Sequence, residues 1–150
     1  MAKNSTDKVV VLKIKKYVSH LGRVHEAIKD MALEDLEDNL LSYSAAQLIT
    51  NLKETFDMIK SEEIQDRYKA LRNPQIVRIR NIASHDYESL DWSVVKSGCK
   101  RIVELYNLDA YHDASLKIID SKEDSPLIAE LRERIKDSGN TPSSVFNKPE

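Results

Sequence analysis

The chain has 150 residues, 41% of them hydrophobic and 32% charged, and a formal net charge of −2. That length fits one domain with one hydrophobic core, and that balance excludes both an intrinsically disordered chain and a generally cationic nucleic-acid binder. No apolar run approaches the roughly 20 residues of a membrane span. The polar start, Met1 to Asp7, has no signal-peptide core, and the lone Cys99 excludes an internal disulfide or a cysteine metal cage, so a reducing cytoplasm is the expected compartment.

Few breakers interrupt the sequence: it contains 3 Gly and 4 Pro, and between residues 6 and 108 the only proline is Pro74. Helix is therefore expected throughout. Ser5-Thr6-Asp7 reads as a helix start, and apolar residues at helical spacing (Leu12 or Ile14, Tyr17-Val18, Leu21, Val24, Ile28, Met31) predict a first helix to about Asp30. Leu33 to Asp38 reads as a short helix or turn. Leu41 to Ile59 reads as a helix with Tyr43, Ala46, Ile49, Leu52, Phe56 and Ile59 on one face, and Glu62 to Leu71 as a short polar helix. Asn73-Pro74 restarts the chain, and Gln75 to about Ser84 follows as a helix burying Ile76, Ile79 and Ala83. Asp91 is the expected N-cap of a helix from Trp92 to Asn107, with Val95, Cys99, Ile102, Val103 and Tyr106 as its apolar contacts. Residues 111–120 are ambiguous, with Ser115 to Ile119 readable as extended, and Ser125-Pro126 opens a last helix, Leu127 to Lys136. The expected fold class is all-α, an up-and-down helical bundle of four to five helices over 6–108, with a C-terminal extension over 109–136 carrying one helix and a disordered tail over 137–150.

The chemistry concentrates in Arg80-Asn81-Ile82-Ala83-Ser84-His85-Asp86-Tyr87, an Arg-x4-His-x-Tyr string. Arginine stays charged and binds phosphate, and histidine moves a proton near neutral pH. Five positive residues and no negative one fall between Arg67 and Arg80, a run that by itself reads as a solvated helix face. On an unbroken helix Arg80 and His85 point about 140° apart. Either the helix ends or distorts near His85, or two chains bring their motifs together across a two-fold axis, placing two arginines and two histidines in one cleft. Such a cleft suits RNA cleavage, in which histidine transfers the proton of a 2′-hydroxyl or of the leaving oxygen and arginine stabilises the phosphorane. The substrate supplies its own nucleophile, so neither metal nor cofactor is required, and DNA would resist this route.

These residues resemble the signature of HEPN-domain proteins, which pair Arg-x4–6-His with a polar residue after the arginine, here Asn81. Tyr87, at His-x-Tyr, and Leu90-Asp91-Trp92 opening the next helix are similar to the HepT branch. The likeness covers about Asp7 to Asn107 in layout and is specific over Arg78 to Trp92. It implies the toxin of a type VII-like toxin–antitoxin pair: a homodimeric, metal-independent endoribonuclease acting on cellular RNA. Its partner would be an MntA-like minimal nucleotidyltransferase antitoxin that transfers AMP to Tyr87. Arg80 and His85 are then the catalytic pair, Asn81 positions substrate, and Tyr87 is the modification site. Arg78 satisfies the looser Arg-x6-His form, and Arg80 is favoured because Asn81 follows it. Asn51-Leu52-Lys53-Glu54-Thr55 departs from the family, which commonly carries glycine-glutamate-alanine there.

A lone arginine or histidine near a helix end is usually structural, and Asp86 and Glu88 are available carboxylate partners. The full string at this spacing outweighs that reading. One alternative is a non-catalytic substrate-binding companion subunit of a minimal nucleotidyltransferase. Another is a helical adaptor without a site, which requires Arg80 and His85 to be buried in salt bridges. His20 and His25 read as surface residues of the first helix, and His112 has no evident partner.

Overall fold

A computed structural model describes the backbone of residues 2–122 and the side chains of residues 6–122. The described residues form seven α-helices and no strand: α1 (Ala2–Ile28), α2 (Leu33–Leu36), α3 (Leu40–Phe56), α4 (Glu62–Arg67), α5 (Pro74–Ala83), α6 (Trp92–Tyr106) and α7 over 109–122, with 3-10 turns at Lys69–Arg72 and Tyr87–Ser89. The protein is thus an all-α bundle. α1 packs along α3 and α6, and α3 also supports α5, the motif helix. The core takes Ile14, Val18 and Leu21 from α1, Ile49 and Leu52 from α3, Ile76 and Ile79 from α5, and Val95, Cys99 and Ile102 from α6. Burial pushes the Cys99 thiol up to about 12, so it serves as packing. No described helix is long and apolar enough to cross a membrane.

The helix starts follow local chemistry. Asn73 Oδ1 accepts from the Gln75 amide at 2.8 Å ahead of Pro74, and Asp91 Oδ1 accepts from the Ser93 amide at 3.0 Å. Hydrogen bonds from Ser93 hold the Asp91 carboxyl below the usual carboxylate range.

Asp7 is a correction. It does not open α1, which begins upstream of it. It is fully buried inside the helix, and its two oxygens accept from the backbone N–H groups of Lys60 and Ser61 at 2.8 and 3.0 Å. A buried carboxylate needs such donors, and here it also lies at the positive end of α4.

The second correction is residues 111–120, which are helical throughout. The inward positions of α7 are His112, Ser115 and Ile119, all buried at spacing i, i+3, i+7. Two of the three are polar, so no apolar stripe marks the helix in the sequence. His112 has partners after all. Its Nε2 lies 2.6 Å from the Tyr106 carbonyl, which can only accept, so Nε2 carries the hydrogen and Nδ1 accepts from the Tyr68 hydroxyl at 2.8 Å. Ser115 Oγ sits 3.0 Å from that hydroxyl and accepts from Arg67 Nε at 2.7 Å. The expected helix Leu127 to Lys136 and the tail 137–150 lie outside the described residues.

Candidate functional site

α5 carries Arg80 and Asn81 in its last turn and ends at Ala83. Ser84 closes it, with both its amide and its hydroxyl donating to the Arg80 carbonyl, at 3.1 and 2.8 Å. The Ile82 carbonyl then receives the amides of both His85 (3.0 Å) and Asp86 (2.8 Å). His85 therefore stands in the closing turn, two residues beyond the end of the α-helix. The helix end that the first of the two arrangements requires is thus present, just ahead of the histidine.

His85 and Asn81 are exposed, and Arg80 is half-buried. Neither Arg80 nor His85 makes an ion pair with a described residue. Arg80 Nε is enclosed yet has no hydrogen-bond partner. Asp86 and Glu88, the carboxylates available to neutralise the pair, make no ion pair with either residue. Asp86 instead builds the next turn, with Oδ1 accepting from the Glu88 amide at 3.0 Å and Oδ2 from the Ser89 hydroxyl at 2.6 Å. The salt-bridged burial that a site-free adaptor requires is absent from this motif. Arg78 is exposed and lines a small groove between α5 and α6 with Ile82, Asp91 and Val94. It leaves α5 about 200° from Arg80, toward different surroundings.

The Asp86 turn delivers Tyr87 to the N-terminal half of α3. The Tyr87 hydroxyl donates to Gln47 Oε1 at 2.7 Å, and Gln47 Nε2 donates to Asn51 Oδ1 at 3.0 Å. The Tyr87 ring meets Tyr43 edge-on at 5.4 Å, and Tyr43 leans on Trp92 at 5.6 Å. Partial burial raises the Tyr87 phenol above its ordinary value, so it stays a neutral hydroxyl at physiological pH. The expected site residues therefore form two groups: Arg80, Asn81 and His85 at the exposed helix end, and Tyr87 docked on α3. Gln47 went unrecognised in the sequence. The available signal was the i, i+4 series Tyr43, Gln47, Asn51, one row of α3.

An unpaired guanidinium and an unpartnered imidazole at one helix end can bind an anionic ester and move a proton to or from a reacting oxygen. The family model described as "Ribonuclease HepT-like" matches residues 14–111, from α1 through the motif to the start of α7. No curated protein and no solved structure matches the chain. A match over more than half of the chain, on an all-α bundle with this helix-end motif, shows that the chain belongs to the ribonuclease HepT-like family.

Proposed function

We propose that the protein is a metal-independent endoribonuclease of the HEPN toxin type. Its site is built on Arg80 and His85, and a cognate nucleotidyltransferase silences it by transferring AMP to Tyr87. One observation carries the reading: at the tightened end of α5 the enclosed Arg80 Nε has no partner and His85 is exposed without one. An enclosed N–H without a partner is costly unless an acceptor arrives, and a phosphodiester is a suitable acceptor. In the proposed reaction the 2′-oxygen attacks the neighbouring phosphorus and the 5′-oxygen leaves, giving a 2′,3′-cyclic phosphate and a 5′-hydroxyl. His85 transfers a proton, Arg80 stabilises the phosphorane, and Asn81 positions the strand.

Two copies would assemble one cleft. The N-terminal end of α3 supports this, because Leu40 is 80% exposed one turn from Tyr43, the residue that contacts Tyr87. An apolar side chain left in water beside a reactive motif suits a self-complementary contact. In the silencing step, Tyr87 Oη attacks the α-phosphorus of ATP and releases pyrophosphate and the phenol proton. The added phosphate brings negative charge close to where the RNA phosphate would sit.

The test is incubation of cellular RNA with the purified protein in a metal chelator, beside His85→Ala, after intact mass shows Tyr87 unmodified and light scattering gives the chain stoichiometry. The expected result is cleavage to 2′,3′-cyclic ends by the native protein, with the variant slower by about 10²–10⁴-fold. An equally active variant would remove His85 from the mechanism. No cleavage by unmodified, dimeric protein would favour the alternative, a non-catalytic substrate-binding companion of a nucleotidyltransferase.

A further inference from the structure

The basic run from Arg67 to Arg80 divides in three dimensions. Arg67 is consumed internally, its Nε on Ser115 Oγ, its Nη2 on the Tyr111 carbonyl at 2.8 Å and its guanidinium 4.2 Å from the Tyr111 ring centre. Arg80 belongs to the motif. Lys69 and Arg72 are exposed on the 3-10 turn ahead of α5, and across a cleft from them stand Lys100 and Arg101 of α6, also exposed. Arg101 and Asn73 line both adjoining clefts, so these are one continuous surface, with Ser97 and Gln75 adding neutral hydrogen-bonding groups. Its carboxylates are Asp66 and Glu104.

The four cations contrast with others on the molecule. Lys8, Lys15 and Lys122 each meet a carboxylate, on Asp120, Asp113 and Glu63 respectively. Lys69, Arg72, Lys100 and Arg101 make no ion pair or hydrogen bond to a described residue through their side chains. A chain with a net charge of −2 thus places four cations without ion pairs on one face, against two carboxylates. α5 leads from this face to the motif, its ten residues spanning about 15 Å. Arg78 stands partway along.

We propose that Lys69, Arg72, Lys100 and Arg101 form a second RNA-contacting surface, which grips the sugar–phosphate backbone of a strand whose scissile bond lies at the α5 C-terminus. This rests on the ribonuclease reading. The adjacent Tyr106 is buried and Tyr111 is half-buried against Arg67, so no aromatic face is offered to a base. The grip is therefore electrostatic and independent of sequence, and it favours long substrates over short ones.

The experiment uses the full chain and a fluorescent, 2′-O-methylated single strand of about 20 nucleotides, which cannot be cleaved by 2′-hydroxyl attack. Binding is read by polarisation across a salt series for the native protein and for Arg72→Gln/Lys100→Gln/Arg101→Gln. The expected variant binds at least about tenfold more weakly and shows a log–log salt slope shallower by about 2, as three lost phosphate contacts require. Cleavage of a dinucleotide, which reaches only the motif, is expected to be unchanged, and Arg72→Lys/Arg101→Lys is expected to bind like the native protein. Equal affinity and equal slope for the glutamine variant would overturn the proposal, as would a native protein that does not bind the strand. If the native protein binds the strand through this face but cleaves no RNA, the ribonuclease reading fails and the surface stands. If it cleaves RNA while the glutamine variant binds normally, the surface fails and the ribonuclease reading stands.

Discussion

Tyr87 is held by a single hydrogen bond to Gln47 and by the edge of Tyr43. Removing the hydroxyl in Tyr87→Phe keeps the ring contact and loses that bond, at a cost of about 0.5–1.5 kcal/mol. The variant is expected to stay folded, to cleave RNA like the native protein and to resist inactivation. Intact mass after incubation with the cognate nucleotidyltransferase and ATP checks this, because the native chain should gain one adenylyl group and the variant none. An adenylyl group on Tyr87→Phe would move the modification to another residue. At this scale the sequence was informative where the site is contiguous. Arg80, Asn81, His85 and Tyr87 lie within eight residues, and each side-chain type carries its chemistry with it. Gln47 is 40 positions from Tyr87, and only the fold brings the two together. The state of Arg80, half-buried with an idle Nε, likewise depends on the packing around α5 and on no local pattern.

α5 is held by α3 on one side and α6 on the other, and Gly98 permits the approach of α6. A Cβ at Gly98 would stand 3.3 Å from Ile76 Cδ1 and 3.4 Å from Ile79 Cδ1, both on α5. Gly98→Ala is expected to be near neutral, since roughly 1 kcal/mol of helix propensity offsets a small shift of two isoleucine methyls. Gly98→Leu has no such escape. It forces α5 outward, costing about 1–3 kcal/mol and lowering Tm by something on the order of 5–10 °C. Because the motif sits at the C-terminus of α5, cleavage should fall even where the variant is still folded. Calorimetry beside a cleavage assay reads both effects, and an unchanged Tm for the leucine variant would show that the α5–α6 contact is not tight. Elements with a clean apolar stripe, such as α3 and α6, were legible from period alone, as were their boundaries to within a few residues. The period does not reveal a polar residue with a distant partner. Ser5-Thr6-Asp7 looks like a cap because Asp at a helix start usually serves its own helix, whereas Asp7 serves the backbone before α4, more than fifty residues on.

At the scale of the molecule, α7 is joined to the bundle by a buried polar cluster as well as by apolar contact, and that makes its attachment sensitive to pH. His112 is held below its ordinary value of 6.5, chiefly because burial strips water from the charged form; Lys15 adds to this, while the Tyr106 carbonyl, Asp109 and Asp113 oppose it. Protonation would also put a hydrogen on Nδ1, where the Tyr68 hydroxyl now donates. The sign follows from the depressed value. Between the folded and unfolded values the unfolded chain binds the extra proton, so the contribution of His112 is fully present above about 6.5 and is lost as pH falls through the lower folded value. Carboxylates titrate in the acid range too, so the native protein alone does not isolate the effect. His112→Gln does, because an amide can donate to Tyr106 and accept from Tyr68 without titrating. Urea midpoints are measured for both proteins at about pH 7.5 and about pH 5. The native midpoint should fall more than that of His112→Gln, and amide exchange should show 109–122 opening first in the native protein at the lower pH. Equal falls would mean that another group governs acid stability and that α7 is held independently of His112.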